Sequence, residues 1–215
     1  RLIKNLNKKS KILEIGCSGG PLLKFLNKHG FNNTFGIDIS KDAILYCKKK
    51  GLENVFFMDG TKTKFKNNFF DLIISSDSLE HIRDDKKALL DWNRILKSNG
   101  RLIVFVPAFN FLWSKHDEMN YHYRRYSKKR LIDLISKANF KIEKSSYWNF
   151  ILFLPTALIK IINHYLSKGK NKSDQLFEVN PMLNKFLTLV LKLENLLIEK
   201  INLPIGISVF VVARK

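Results

Sequence analysis

The chain has 215 residues, 45% of them hydrophobic and 27% charged, close to the globular average, which excludes a wholly disordered chain. Ten glycines and five prolines exclude collagen-like and low-complexity classes, and a soft prior of about 150 residues per domain predicts one domain with a sizeable appendage. The formal net charge is +19, from 38 basic and 19 acidic residues, which points to a polyanionic partner, either nucleic acid or an anionic membrane surface.

Thirty of the 38 basic residues are lysines, so a compositional bias of the source competes with a functional basic face. Two cysteines, Cys17 and Cys47, cannot build a disulfide framework or a four-thiolate zinc site, and are expected as free thiols in a reducing compartment. The chain begins at Arg1 rather than Met. We expect residues to precede it, and nothing at its start reads as a signal peptide.

Residues 10–16 (SKILEIG) predict a strand, with Ile12, Leu13 and Ile15 as a short apolar run closed by glycine. A turn over 16–20 follows, and Pro21 sits where a first helical residue belongs, since its fixed φ and missing N–H cost nothing there. The helix it opens stops at Gly30. A second strand over 34–39 contains Asp38, and Ser40 caps the next helix. Residues 54–58 and 70–75 predict two more strands. Asp84 or Asp85 opens a helix carrying Ala88, Leu89, Trp92, Ile95 and Leu96, ended by Asn99 and Gly100. A strand over 101–106, a helix capped by Ser127 and a strand over 140–146 complete the alternation. Such alternation means a doubly wound α/β sheet with helices on both faces.

The end of the chain differs. Residues 147–166 are unusually apolar, 167–174 are a basic linker, and 181–203 place Leu183, Phe186, Leu187, Val190, Leu193, Leu197 and Ile201 at helical spacing. Residues 205–213 predict a last strand.

Ligands of a doubly wound sheet bind beyond the carboxyl ends of its strands. Four features fall there: Glu14-x-Gly16-x-Ser18-Gly19-Gly20, Asp38, Asp59, and the stretch SSDSLEH from Ser75 to His81. Glycines after a strand admit a ligand close to the backbone, and an acid about 20 residues on suits a ribose diol. The loop lacks the G-x-G-x-x-G spacing, and Glu14 would repel a pyrophosphate. A cationic nucleoside without phosphate suffers no such repulsion.

The stretches LEIGCSGG, FGIDIS, FFMDGT, FDLIISSDSLEHI and LKSNGRLIVFVP, in this order and spacing, resemble the class I S-adenosylmethionine-dependent methyltransferases. The resemblance spans roughly residues 11–146 and the final strand. It implies a seven-stranded Rossmann-like sheet and S-adenosylmethionine as cofactor. It also implies that Gly16, Ser18 and Gly20 line the methionine part, that Glu14 orients the loop or the cofactor's ammonium through water, that Asp38 holds the ribose hydroxyls and that Asp59 holds the adenine amino group. Ile39, Gly60 and Ser76 join the expected cofactor set. One departure stands out: Ser18 replaces the middle glycine of the family's loop. A strand-end Asp is often only a helix cap, and that reading stays open for Asp59 above all.

Methyl transfer from a sulfonium is an in-line displacement with a good neutral leaving group, so catalysis is mainly positioning, plus a base where the acceptor carries a proton. Candidate bases are His81, His116 and His122, with His81 and His122 the expected catalytic pair. His81 lies in a stretch resembling the SxxLEH of the ubiquinone-pathway O-methyltransferases. Asp77, Glu80 and His81, at i, i+3 and i+4, would share a helix face able to hold a divalent metal. The competing reading is a helix-start acid and a hydrogen-bonded histidine, and no metal ligand is assigned. The segment WSKHDEMNYHYRRYS after the fifth strand covers the acceptor pocket by resemblance. Trp113, His116, Arg124, Arg125 and Tyr126 are its expected acceptor contacts, the arginines for a phosphate or carboxylate. A loop salt-bridged to Asp117 and Glu118 is the alternative.

The expected division is a cofactor-binding domain over 1–148 and 205–215 with a helical insertion over 149–204. Pro155, Lys160, Asn163 and His164 interrupt its apolar run, so an interfacial hairpin fits better than a span, with Lys168, Lys170 and Lys172 toward anionic head groups. A lid or a homodimer surface is the competing expectation. The predicted acceptor is a small molecule or lipid-linked compound at an anionic membrane surface. The predicted location is cytoplasmic and peripheral on the inner face. Nucleic acid is not the expected partner, because the stretch after strand four lacks an N-P-P-[YF] tetrad. A non-catalytic interaction module is opposed by the intact Glu14, Gly20 and Asp38.

Overall fold

The computed structural model describes residues 2–158 and 180–215. Its elements run β1 (Ile12–Ile15), α1 (Pro21–Lys28), β2 (Thr34–Asp38), α2 (Lys41–Lys49), β3 (Val55–Phe57), β4 (Phe70–Ser76), α3 (Asp85–Ile95), β5 (Leu96–Pro107), α4 (Lys115–Met119), α5 (Lys128–Lys137), β6 (Lys141–Trp148), α6 (Pro181–Lys200) and β7 (Ser208–Arg214). The seven strands form one sheet in the order β3-β2-β1-β4-β5-β7-β6. The pairs β1/β2, β1/β4, β2/β3 and β4/β5 are parallel. β7 is antiparallel to both β5 and β6. The strand order changes direction between β1 and β4, which puts a ligand crevice at the carboxyl ends of these strands.

Local chemistry fixes the boundaries. Pro21 opens α1, the Ser40 side chain accepts from the Ala43 amide, Asp84 accepts from the Lys87 amide at 2.9 Å and Ser127 accepts from the Arg130 amide at 3.2 Å, each satisfying an orphan donor of a first turn. β1 is buried along its whole length, as a strand covered on both faces must be. One face packs on α3 and α5 through Leu89, Trp92, Ile95, Leu131 and Ile135. The other packs on α1 and the end of the chain through Leu26, Phe31, Ile198, Leu203 and Phe210. Trp92 is fully buried, and its indole donates to the Gly60 carbonyl at 2.8 Å, which ties α3 to the loop after β3.

Three expectations change. The helix carrying Trp92 ends at Ile95, not at Asn99, and β5 starts at Leu96: this fully buried leucine pairs with Phe70 on the neighbouring strand, so sheet pairing overrides helical periodicity. Residues Leu79–His81 form one turn of 3-10 helix and Asp77 has φ 49°, so Asp77, Glu80 and His81 do not share an α-helical face. The apolar stripe of α6 faces outward. Leu183, Phe186, Leu193 and Leu197 are exposed while Glu194 is fully buried, because its carboxylate accepts the amides of Phe150 (3.1 Å) and Ile151 (3.4 Å). Residues 153–158 are helical. Lys160, Asn163, His164, Lys168, Lys170 and Lys172 lie outside the described residues.

Candidate active site

The loop after β1 is held from both sides. The amides of Gly16 and Cys17 donate to the Ile37 carbonyl at 2.8 and 3.0 Å, which anchors the loop to β2. Gly16 has φ 71°, and a Cβ there would collide with the Ser78 hydroxyl. That hydroxyl in turn donates to the Ile15 carbonyl at 2.7 Å. Gly20 has φ 73° and faces Leu52 and Cys47. Only glycine meets both demands, a left-handed φ and no room for Cβ. Ser18 has φ 44°, a conformation the family's middle glycine adopts without strain. The Cys47 thiol donates to the Ser18 carbonyl at 3.1 Å, and both cysteines are free and buried.

Two carboxylates flank this loop, Asp38 and Glu14, and a third, Asp59, follows β3. Asp38 Oδ2 accepts the Ser18 amide and Oδ1 the Ser40 amide, each at 2.8 Å. A carboxylate has about four acceptor positions, so room is left for two ribose hydroxyls. Ile39, next in sequence, is 71% exposed, an apolar surface of the kind a purine face covers. Glu14 is 5% exposed and its Oε2 has no partner. Burial first, and then the Asp38 charge, push its carboxyl up to about 8. Asp59 is exposed at the β3 end and accepts the Thr61 amide at 2.7 Å. It turns the chain there. Gly60 is buried with its carbonyl committed to Trp92. Ser76 ends β4 at the same edge, its hydroxyl 3.3 Å from Asp77.

The side expected to take the acceptor contains the segment after β5. The amide of Tyr123 donates to the Glu80 carbonyl at 2.9 Å, which brings His122 against His81 with ring centroids 4.5 Å apart and edge to face. His122 Nδ1 bonds Asp117 Oδ1 at 2.9 Å. Burial would raise the Asp117 carboxyl, but the hydrogen bonds and charge of Arg125, with help from Ser114 and His122, outweigh it and hold it down at about 2. Burial, and then the neighbouring His122, lower the pKa of His81, which favours the uncharged ring. The two histidines predicted as catalytic do converge.

The predicted acceptor arginines do not reach the pocket. Arg125 is 6% exposed and grips Asp117 with both Nε (2.8 Å) and Nη2 (3.0 Å), while Nη1 donates to the Ala108 carbonyl. Arg124 donates to Asp85 at 2.8 Å and to the Arg83 carbonyl at 2.6 Å. Tyr126 is fully buried with its hydroxyl on Asp85 at 2.9 Å. All three brace the acceptor segment rather than line it, because each finds an anionic or carbonyl partner inside the protein. Trp113 and His116 stay accessible, Trp113 donating to Glu118 at 3.4 Å and His116 bonded to Asn120 at 3.0 Å. The alternative expectation, a loop salt-bridged to Asp117, is what forms at Arg125. Ser78 is the residue that residue patterns alone do not single out as a site builder, and the Ser114-x-x-Asp117 capping spacing is a second signal that Asp117 is structural.

Residues 13–104 match the family model described as a methyltransferase domain. A protein of Methanocaldococcus jannaschii is 32% identical over 170 residues, covering 75% of this chain and 71% of that one. The chain belongs to the class I S-adenosylmethionine-dependent methyltransferases. The ubiquinone/menaquinone biosynthesis C-methyltransferase of Wigglesworthia glossinidia brevipalpis is 28% identical over 130 residues, 54% of this chain and 51% of that protein, so this chain spans about half of that relative's length. An S-adenosylmethionine-dependent methyltransferase structure from Archaeoglobus fulgidus superposes with a TM-score of 0.65 at 18% identity, covering all of this chain and 90% of the other, which shows the shared fold. The methyltransferase's methyl donor is S-adenosylmethionine. The loop of Gly16–Gly20, Glu14 and Asp38 fits that cation: two acids in reach, a loop whose Gly16 and Gly20 only glycine can fill, and no basic side chain among those that form it.

Proposed function

We propose that this methyltransferase O-methylates a lipid-like or lipid-linked acceptor while resting on an anionic membrane surface, at its cytoplasmic face. One observation carries the reading: an apolar surface adjoins the acceptor segment. Phe153 and Ala157 pack on Leu112, and around them Phe111, Ile151, Leu154 and Leu158 are exposed, Leu154 at 68%. On α6, Met182, Leu183, Phe186, Leu189, Leu193 and Leu197 are exposed as well. Apolar exposure on this scale marks an interaction surface.

No helix among the described residues is long and apolar enough to cross a membrane, which favours a helix lying along an interface. Lys185, Lys192 and Lys200 stand exposed on the same helix and would meet anionic head groups. An apolar groove of about 700 Å³ floored by Ile74, Ile103 and Phe105 begins at Ser76. It offers an apolar chain a bed that reaches the carboxyl end of β4. His81 would take the proton of the acceptor hydroxyl as its oxygen displaces the neutral S-adenosylhomocysteine sulfur from the methyl carbon.

The test has two parts. Radiolabelled methyl from S-adenosylmethionine, supplied with total lipid and separately with total RNA and soluble metabolites, is expected in the lipid fraction. The protein is expected to sediment with phosphatidylglycerol-containing vesicles and not with purely phosphatidylcholine ones. Label in RNA or in the aqueous fraction, or a stable homodimer that leaves vesicles unbound, would overturn the reading.

A further inference from the structure

We propose that Glu80, His81 and His122 form a site for a divalent transition-metal ion on the acceptor side of the cofactor crevice. The three side chains each offer a ligand atom, and these atoms lie within 4.8 Å of one another. His122 comes from the segment after β5, some forty positions beyond the other two, so the set exists only in the folded chain.

The His81 ring packs edge to face on that of His122. His122 is oriented by its other nitrogen: Nδ1 bonds Asp117, which leaves Nε2 as the free ligand atom. This is the arrangement by which metal-binding histidines are held in one tautomer and one direction. Asp117 is itself clamped by Arg125, so the orienting carboxylate cannot swing away.

The third donor makes the stronger argument. Glu80 is fully buried, and neither carboxylate oxygen makes a hydrogen bond of acceptable geometry. A buried carboxylate with no hydrogen-bond donor of its own is costly, and a cation between it and two imidazoles removes that cost. Asp77 stands near enough to feel both Glu80 and His122 and adds negative charge on the same side. Two imidazoles and one carboxylate suit Mn²⁺, Fe²⁺, Co²⁺ or Zn²⁺ and not Ca²⁺, which takes six to eight oxygens. Three protein ligands leave coordination positions open, and an ion there would hold an oxygen of the acceptor and ease loss of its proton to water, with His81 then a ligand in place of the base.

The inference does not depend on the acceptor being a lipid, and its test reads the metal directly. Chelator-stripped full-length protein is titrated with Co²⁺, following visible absorption and heat, and with Mn²⁺, following loss of its free-ion paramagnetic resonance signal. One equivalent is expected to bind, with Ca²⁺ failing to displace it at equal concentration. Glu80→Gln and His122→Gln are each expected to weaken Co²⁺ at least 30-fold while S-adenosylmethionine still binds, which shows that the variants are folded. If both variants fail to fold, hyperfine-shifted imidazole proton resonances in the Co²⁺-loaded wild type decide the matter: two shifted rings are expected. No saturable binding of either ion, shifted signals from no histidine, displacement by Ca²⁺, or unchanged affinity in folded variants would overturn the site.

Discussion

The Asp38 carboxylate accepts the backbone amide of Ser18 at 2.8 Å, so the tip of β2 holds the loop after β1 in place. The loop is thereby set at the left-handed turn that Ser18 must make with φ 44°. For a residue with a Cβ, that region costs about 1–2 kcal/mol, while glycine adopts it freely but brings an unfolded-state entropy cost of about 0.5–1 kcal/mol. Ser18→Gly is therefore expected to stabilise the protein by about 0.5–1 kcal/mol, read by urea denaturation, with S-adenosylmethionine affinity equal or better.

Arg125 and Asp117 form a two-bond ion pair with side chains 6% and 0% exposed. Breaking such a pair leaves a buried charge uncompensated and costs about 3–5 kcal/mol. Arg125→Ala should lower the melting temperature sharply and disorder His122, whose partner is the same Asp117. Arg125→Lys should recover only part of the loss, since an ammonium cannot make the paired contact. An acceptor-binding arginine would behave differently, raising KM with the melting temperature unchanged.

Glu14 predicts a pH dependence. Its native carboxyl stands near 8, raised by burial and by Asp38, while the unfolded carboxyl titrates near the ordinary value. Between these limits the native state holds a proton that the unfolded state has released. Stability is therefore fully present below the unfolded pKa and is lost as pH rises toward and past 8. Glu14→Gln should flatten that decline, and the difference between the two proteins should grow between pH 5 and pH 9 to the order of a few kcal/mol. Cofactor affinity should rise over the same window in the wild type only, because the cation favours ionised Glu14.

Glu194 docks α6 by accepting two amides of the 150–151 turn. Glu194→Ala leaves those amides without their carboxylate and should cost about 1–3 kcal/mol. Amide hydrogen exchange should quicken at residues 150–151 and along α6, with the exchange of β1 and β4 unchanged.

The cofactor side is legible in the sequence because backbone geometry restricts what can stand there. Gly16 and Gly20 are needed by φ and by the crowding of Ser78 and Leu52, and Asp38 is placed by the strand that ends in it. The acceptor side is less legible. Adjacent arginines look like an anion site, yet the partner of Arg124 is Asp85, far away in sequence, and that of Arg125 is Asp117. Only the fold decides that these acids arrive first. The metal cluster fails on sequence for the same reason: the spacing from Asp77 to His81 suggests a helical face, whereas a single 3-10 turn forms and the third ligand comes from His122. α6 is the sharpest reversal. A heptad-like apolar stripe ordinarily faces inward, and here it faces out while the acidic Glu194 is enclosed.

The most direct test is calorimetric titration of wild-type and Asp38→Ala protein with S-adenosylmethionine and with NAD. The wild type should bind the sulfonium nucleoside and not the dinucleotide, and the alanine variant should bind it at least tenfold more weakly, as expected when a charged hydrogen-bond acceptor worth about 1.5–3 kcal/mol is removed. Equal affinity in the two proteins, or a preference for NAD, would contradict the assignment of the crevice at the tips of β1 and β2.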